Sequence, residues 1–222
     1  MSDARTNRLA RKMLRPVHVF ALAAVSALVL FAFDTYENEA KKLGDLLNWK
    51  PGAVIAEIGA GEGQMSFAAA ARVGAGGHVY STELDTAKLH HLQEEVSRRK
   101  LVNVSIVKGD PLGTNLPDGC CDAIFMRHVY HHFAKPVQTD RAIFRALKPD
   151  GLLAIIDFPP RKWLNATSPL DGTPKNHGGH GVPKNVLIQE LISSGFEIVD
   201  EPENWPNHDD YCIIARKPAR TE

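Results

Sequence analysis

The sequence predicts an α/β fold, a doubly wound and mostly parallel sheet of seven strands with an antiparallel last strand. Three observations carry this. Short apolar runs alternate with stretches of helical period through most of the chain. The first of these runs, Ala53–Ile58, ends in glycines at alternate positions, Gly59, Gly61 and Gly63, and leads into the Ala-rich, helix-prone Gln64–Val73. The last two runs, Phe196–Val199 and Tyr211–Ala215, read as two closing strands and the antiparallel end of the sheet. A hydrophobic helix is expected ahead of the fold, near the N-terminus.

A chain of 222 residues can bury one good core and reads as one main domain. Its formal net charge is zero, so it has no basic surplus of the kind that drives nucleic-acid binding. Three cysteines, Cys120, Cys121 and Cys212, include no CxxC pair and read as free thiols.

Taken in order, Met1–Arg15 is basic, and Val17–Phe33 carries no charge, with only His18 and Ser26 interrupting its apolar character. As a helix that apolar stretch would rise about 25 Å, the short end of a bilayer span. Residues 1–33 therefore read as a basic region with a membrane anchor or signal segment, and 34–222 as the main domain. An uncleaved anchor is expected to hold the chain at a membrane, whereas cleavage near Val25-Ser26-Ala27 would export it. Asp34–Lys50 places Leu43, Leu46 and Leu47 at helical spacing and ends at Pro51-Gly52. Ala53–Ile58 is strand one, Gln64–Val73 a helix, and His78–Leu84 strand two. Asp85 is a natural N-cap for a helix Thr86–Arg99. Val104–Val107 is strand three and Cys121–Met126 strand four. Pro136–Leu147 is an amphipathic helix stopped by a turn at Lys148-Pro149-Asp150-Gly151, and Leu152–Phe158 is strand five. Pro159–Gly181 reads as a long loop, and Pro183–Ser194 as a helix ended by Gly195.

The stretch Glu57-Ile58-Gly59-Ala60-Gly61-Glu62-Gly63 resembles motif I of the class I S-adenosylmethionine-dependent methyltransferases, (D/E)-x-G-x-G-x-G. Within that family it resembles the methyltransferase type 11 group, which is like the ubiquinone and menaquinone C-methyltransferases. A dinucleotide-binding turn would need a third small residue at Gln64, so the spacing favours the methyltransferase form. The resemblance covers Pro51–Phe158 well and Val182–Lys217 loosely, and implies a Rossmann-like fold with S-adenosylmethionine as cofactor. It places Glu57, Gly59, Ala60, Gly61, Gly63, Leu84 and Arg127 around that cofactor. It implies that Glu83, at the end of strand two, accepts from the ribose hydroxyls, and that Asp110, after strand three, meets the adenine amino group. The plainer reading of Glu83 is a surface acid at a helix start, and of Asp110 a turn aspartate before Pro111.

Methyl transfer needs two partners held in line and water kept out, and some acceptors also need a general base. By analogy the acceptor pocket lies above strands four and five, where the loops carry His128, Tyr130, His131, His132, Asp157, His177 and His180. The candidate catalytic residues are His128, His131, His132 and Asp157. Histidine suits a base at neutral pH, although lone clusters more often pack or solvate loops, and no metal is assigned. No Pro-Cys nucleophile or catechol-type acid set is evident. These absences leave a small-molecule acceptor, quinone- or lipid-like if the chain sits at a membrane. A non-catalytic adenosylmethionine-binding scaffold and an NAD-dependent oxidoreductase remain alternative readings at this point.

Overall fold

The structure is a computed structural model that describes residues 36–161, 172–207 and 209–219. The expected basic region and hydrophobic helix fall outside those residues, as does the middle of the long loop. Among the described residues no helix is long and apolar enough to cross a membrane. Two units are distinguished, Met1–Asn38 and Glu39–Glu222, and the second contains the fold.

The helix at 36–46 is α1. Then follow β1 (Val54–Ile58), α2 (Gln64–Val73), β2 (His78–Glu83), α3 (Thr86–Arg98) and β3 (Val104–Lys108). The second half comprises β4 (Cys121–Arg127), α4 (Pro136–Ala146), β5 (Leu147–Asp157), α5 (Lys184–Ser193), β6 (Glu197–Asp200) and β7 (Tyr211–Arg216). Short 3₁₀ turns sit at Tyr130–His132 and Lys175–His177.

The sheet order is β3-β2-β1-β4-β5-β7-β6. β1 to β5 are parallel, and β7 runs antiparallel between β5 and β6. The expected seven-stranded, mostly parallel sheet with an antiparallel last strand is what forms. The largest displacement is at β5, which starts at Leu147 and not at Leu152, while other strand ends shift by about one residue. The expected turn residues are drawn into the sheet because Asp150 N–H donates to Lys217 O (2.9 Å) and Lys217 N–H to Gly151 O (3.0 Å). A register shift between Cys121 and Ala123 absorbs the irregularity.

Side chains alternate along the buried strands, so each face has its own core. Ala56, Ile58, Ile124, Met126, Leu153, Ile155 and Ile213 pack with Ile143 of α4 and Leu187 and Leu191 of α5. Between β1 and β4 the chain changes winding direction, since β2 and β3 lie to one side and β5 to the other. In such sheets the loops at the carboxyl ends part at that point and leave a crevice.

Candidate functional site

A cavity of about 420 Å³ opens at that crevice, lined by the ends of β1, β2, β3 and β4 and the turns after them. Its floor is the Gly-rich turn. Gly59, Gly61 and Gly63 all have left-handed backbone, with φ of +71°, +56° and +83°. A Cβ on Gly59 would lie 2.5 Å from Val129 Cγ2, and one on Gly63 would lie 2.6 Å from Leu92 Cδ2. These two glycines are therefore needed for packing. Gly61 differs, because nothing lies within 4 Å of its Cβ position. It lines the cavity, so a side chain there would enter the ligand space.

Glu83 ends β2 beside this turn. Its Oε2 accepts from Gly61 N–H (2.9 Å), and its Oε1 accepts from Leu84 N–H (2.7 Å) and Asp85 N–H (3.1 Å). The carboxylate is thus fixed at the cavity edge by backbone donors from both sides. Asp110 lines the next part of the wall, its Oδ1 accepting from Leu112 N–H at 2.8 Å in a tight Asx turn. Leu84 completes this end of the wall and is 52 % exposed, an apolar surface turned toward the opening.

The far wall comes from β4 and the segment after it, through Arg127, His128, Val129, His132 and Phe133. Arg127 Nε donates to Glu39 Oε2 of α1 (2.8 Å), and Trp205 Nε1 donates to Glu39 Oε1 (2.6 Å). Glu39 is fully buried, so this pair fixes the guanidinium from behind. His128 has left-handed backbone (φ +56°), and its Nε2 lies 2.7 Å from Asp210 Oδ2. Asn207 Nδ2 donates to the same oxygen at 2.9 Å.

The remaining predicted residues take other places. Glu57, Ala60 and Gly63 are not among the lining residues. Glu57 faces inward, where Ser66 Oγ donates to it at 2.5 Å, and burial pushes its carboxyl up to about 8 despite that hydrogen bond. Convergence of all the loop histidines on one pocket is corrected by the structure. The 3₁₀ turn directs Tyr130 and His131 into the interior, which leaves only His132 of the three in the lining. His131 Nδ1 lies 2.9 Å from Asp157 Oδ1, and the pair is closed off, with side-chain exposures of 3 % and 0 %. Asp157 also accepts from the N–H groups of His131 and Phe158, so it anchors the turn. His132 packs on His131 with ring centroids 4.1 Å apart. Burial, and then the neighbouring imidazole, lower its pKa to about 4. His177 joins a separate buried cluster, its Nε2 3.0 Å from Glu190 Oε2. His180 stays near the turn, its ring 6.2 Å from that of His132. Among the described residues no group of three or more His, Cys, Asp or Glu is placed to hold a metal.

Sequence reasoning missed Glu39, Trp205, Asn207 and Asp210. Glu39 and Trp205 are separated by 166 positions and His128 and Asp210 by 82, so no local pattern links them. The only local signal was a lone Trp in a polar segment before the last strand.

Residues 56–155 match the protein family described as a methyltransferase domain. Over those residues the chain carries a class I S-adenosylmethionine-dependent methyltransferase domain. Among its relatives, nocamycin O-methyltransferase of Saccharothrix syringae is 30 % identical over 141 residues, 62 % of this chain and 50 % of the relative. A demethylmenaquinone methyltransferase of Listeria monocytogenes is 25 % identical over 128 residues, 58 % of this chain and 54 % of the relative. The chain thus spans about half the length of these curated relatives. A SAM-dependent methyltransferase of Aquifex aeolicus shares the fold, with a TM-score of 0.67 at 23 % identity over 80 % of this chain and 89 % of that one. The family's cofactor is S-adenosylmethionine, and the cavity meets its needs. Gly61 leaves a cradle free of Cβ atoms, Glu83 offers a fixed anionic acceptor, and Leu84 offers an apolar surface.

Proposed function

We propose that the chain transfers a methyl group from S-adenosylmethionine to a small apolar acceptor, quinone- or lipid-like in character. The observation that carries this is the pairing of the Glu83 carboxylate with the open Gly61 cradle at the switch point of the sheet. When bound, the cofactor supplies the methyl group as a sulfonium electrophile, so the protein's task is to position the partners and exclude water. Glu83 would accept from the ribose hydroxyls, Asp110 and Leu84 would take the adenine, and Arg127 would hold anionic charge at the other end. Val129, Phe133 and Ala134 give the acceptor side an apolar lining. The relatives named for nocamycin and demethylmenaquinone support a small organic acceptor. The basic stretch Met1–Arg15 and the apolar Val17–Phe33 support a location at a membrane, to be tested by flotation of the chain with liposomes.

Calorimetric titration with adenosylmethionine and adenosylhomocysteine, followed by an acceptor screen beginning with quinones and lipids, tests the proposal. Micromolar binding with release of adenosylhomocysteine supports it. Binding without turnover on any acceptor would instead support a scaffold or sensor on this fold.

A further inference from the structure

Two histidines line the cavity, and the structure treats them differently. His132 is held against another imidazole by ring contacts. His128 is held by a carboxylate whose other hydrogen bond comes from a neutral amide. Asp210 has a fully buried side chain, and among the described residues both of its side-chain hydrogen bonds, from His128 Nε2 and from Asn207 Nδ2, fall on Oδ2. Its Oδ1 is buried with no hydrogen-bond partner among the described residues. A buried carboxylate served this way is stabilised by any positive charge that forms on the imidazole beside it.

The hydrogen bonds also assign the tautomer. Asp210 accepts, so Nε2 carries the proton. Arg127 Nη1 lies 3.3 Å from Nδ1, and a guanidinium can only donate, so Nδ1 presents a lone pair. His128 therefore places an unprotonated nitrogen next to a fixed cation in the wall of the cavity.

We infer that His128 is the proton acceptor of this site, that Asp210 positions it, and that the acceptor class is an apolar molecule methylated on a hydroxyl. This rests on the methyltransferase reading above. An acceptor hydroxyl hydrogen-bonds to Nδ1 and displaces the long contact from Arg127. As the oxygen lone pair forms the O–CH3 bond and the S–CH3 bonding pair stays on sulfur, the hydroxyl proton passes to Nδ1. The imidazolium is held by Asp210 until it releases that proton to solvent. Arg127, fixed by Glu39, stays beside the oxygen while negative charge builds there. Among the described residues, Arg161 is stacked on the Phe158 ring that meets His128 edge-on, Asp209 pairs with Arg161, and Lys88 lines the same cavity.

The test uses the full chain without cofactor first. In a ¹⁵N-histidine-labelled sample, NMR assigns the His128 ring nitrogens by their loss in His128→Asn, a change that suits the left-handed backbone at this position. The expected neutral form is protonated on Nε2, and in Asp210→Ala the preference for that tautomer should fall at least about tenfold. A proton on Nδ1, or a tautomer ratio that Asp210→Ala leaves unchanged, overturns the pairing. Calorimetry with adenosylhomocysteine present then compares 2-naphthol with 2-methoxynaphthalene. The hydroxyl probe should bind at least about tenfold more tightly, with the preference lost in His128→Asn. Equal affinity, or no binding of either probe, overturns the hydroxyl assignment. Failure of adenosylhomocysteine itself to bind overturns the cofactor reading, while the NMR result still judges the His128–Asp210 pair.

Discussion

Asp140 lies in α4, fully buried, with its Oδ2 2.9 Å from Tyr130 Oη. Burial raises its pKa from 3.8 to about 8, although the hydrogen bond to Tyr130 opposes the shift. Tyr130 Oη also lies 3.1 Å from Glu190 Oε2 and has a single proton to give. A protonated Asp140 satisfies the cluster, since it donates to Tyr130 Oη while Tyr130 and His177 Nε2 donate to Glu190. The folded chain thus keeps a proton on Asp140 that the unfolded chain has released above a pH of about 4. The stability tied to this group is full below that pH and falls as pH rises toward about 8. The slope is about 1.4 kcal/mol per pH unit, so the loss between pH 5 and pH 7.5 is on the order of 3 kcal/mol. Asp140→Asn cannot ionise and keeps a donor for Tyr130. Its stability relative to wild type should therefore rise by on the order of 3 kcal/mol over that range, about 1 M in urea midpoint. Urea unfolding of both proteins at the two pH values measures the gap, and Glu57, raised in both, cancels. A gap that does not change with pH, or a variant less stable than wild type at pH 7.5, would refute a protonated Asp140.

Other perturbations separate the parts of the site. Glu83→Ala removes the acceptor of three backbone N–H groups and of the proposed ribose contacts. Adenosylmethionine affinity should fall at least about tenfold by calorimetry, and an unchanged Kd would reject Glu83 as a ligand group. Gly59→Ala meets Val129 at 2.5 Å on left-handed backbone, so it should lose about 2–3 kcal/mol of stability in urea unfolding. Gly61→Ala meets nothing, so it should lose only about 1 kcal/mol while weakening cofactor binding at least about tenfold. Equal stability losses in the two glycine variants would contradict this division of roles. Glu39→Gln leaves the Arg127 guanidinium without its buried counter-charge and should destabilise the chain by about 3 kcal/mol, read from the same denaturant curves. A loss well below 1 kcal/mol would show that Arg127 does not depend on Glu39.

The sequence alone determined the order and type of every described strand and helix from Ala53 onward, because buried parallel strands and amphipathic helices leave period and punctuation in the chain. It also determined the floor of the site. Gly59, Gly61 and Gly63 share one turn, and Glu83 ends the adjacent strand, so their meeting follows from a single crossover. Tertiary structure alone decided the far wall. Whether a histidine on the Arg127–Phe133 stretch faces the cavity depends on a left-handed residue at His128 and a 3₁₀ turn at Tyr130–His132, and neither leaves a periodic trace. That geometry buried His131 with Asp157 and sent His177 to Glu190. It also gave His128 and Arg127 partners from segments far along the chain, Asp210 and Glu39. A sequence shows which side chains can carry a proton or a charge. Which of them meet is set by how the last loop folds back over the sheet, and that is a matter of packing among residues distant in the chain.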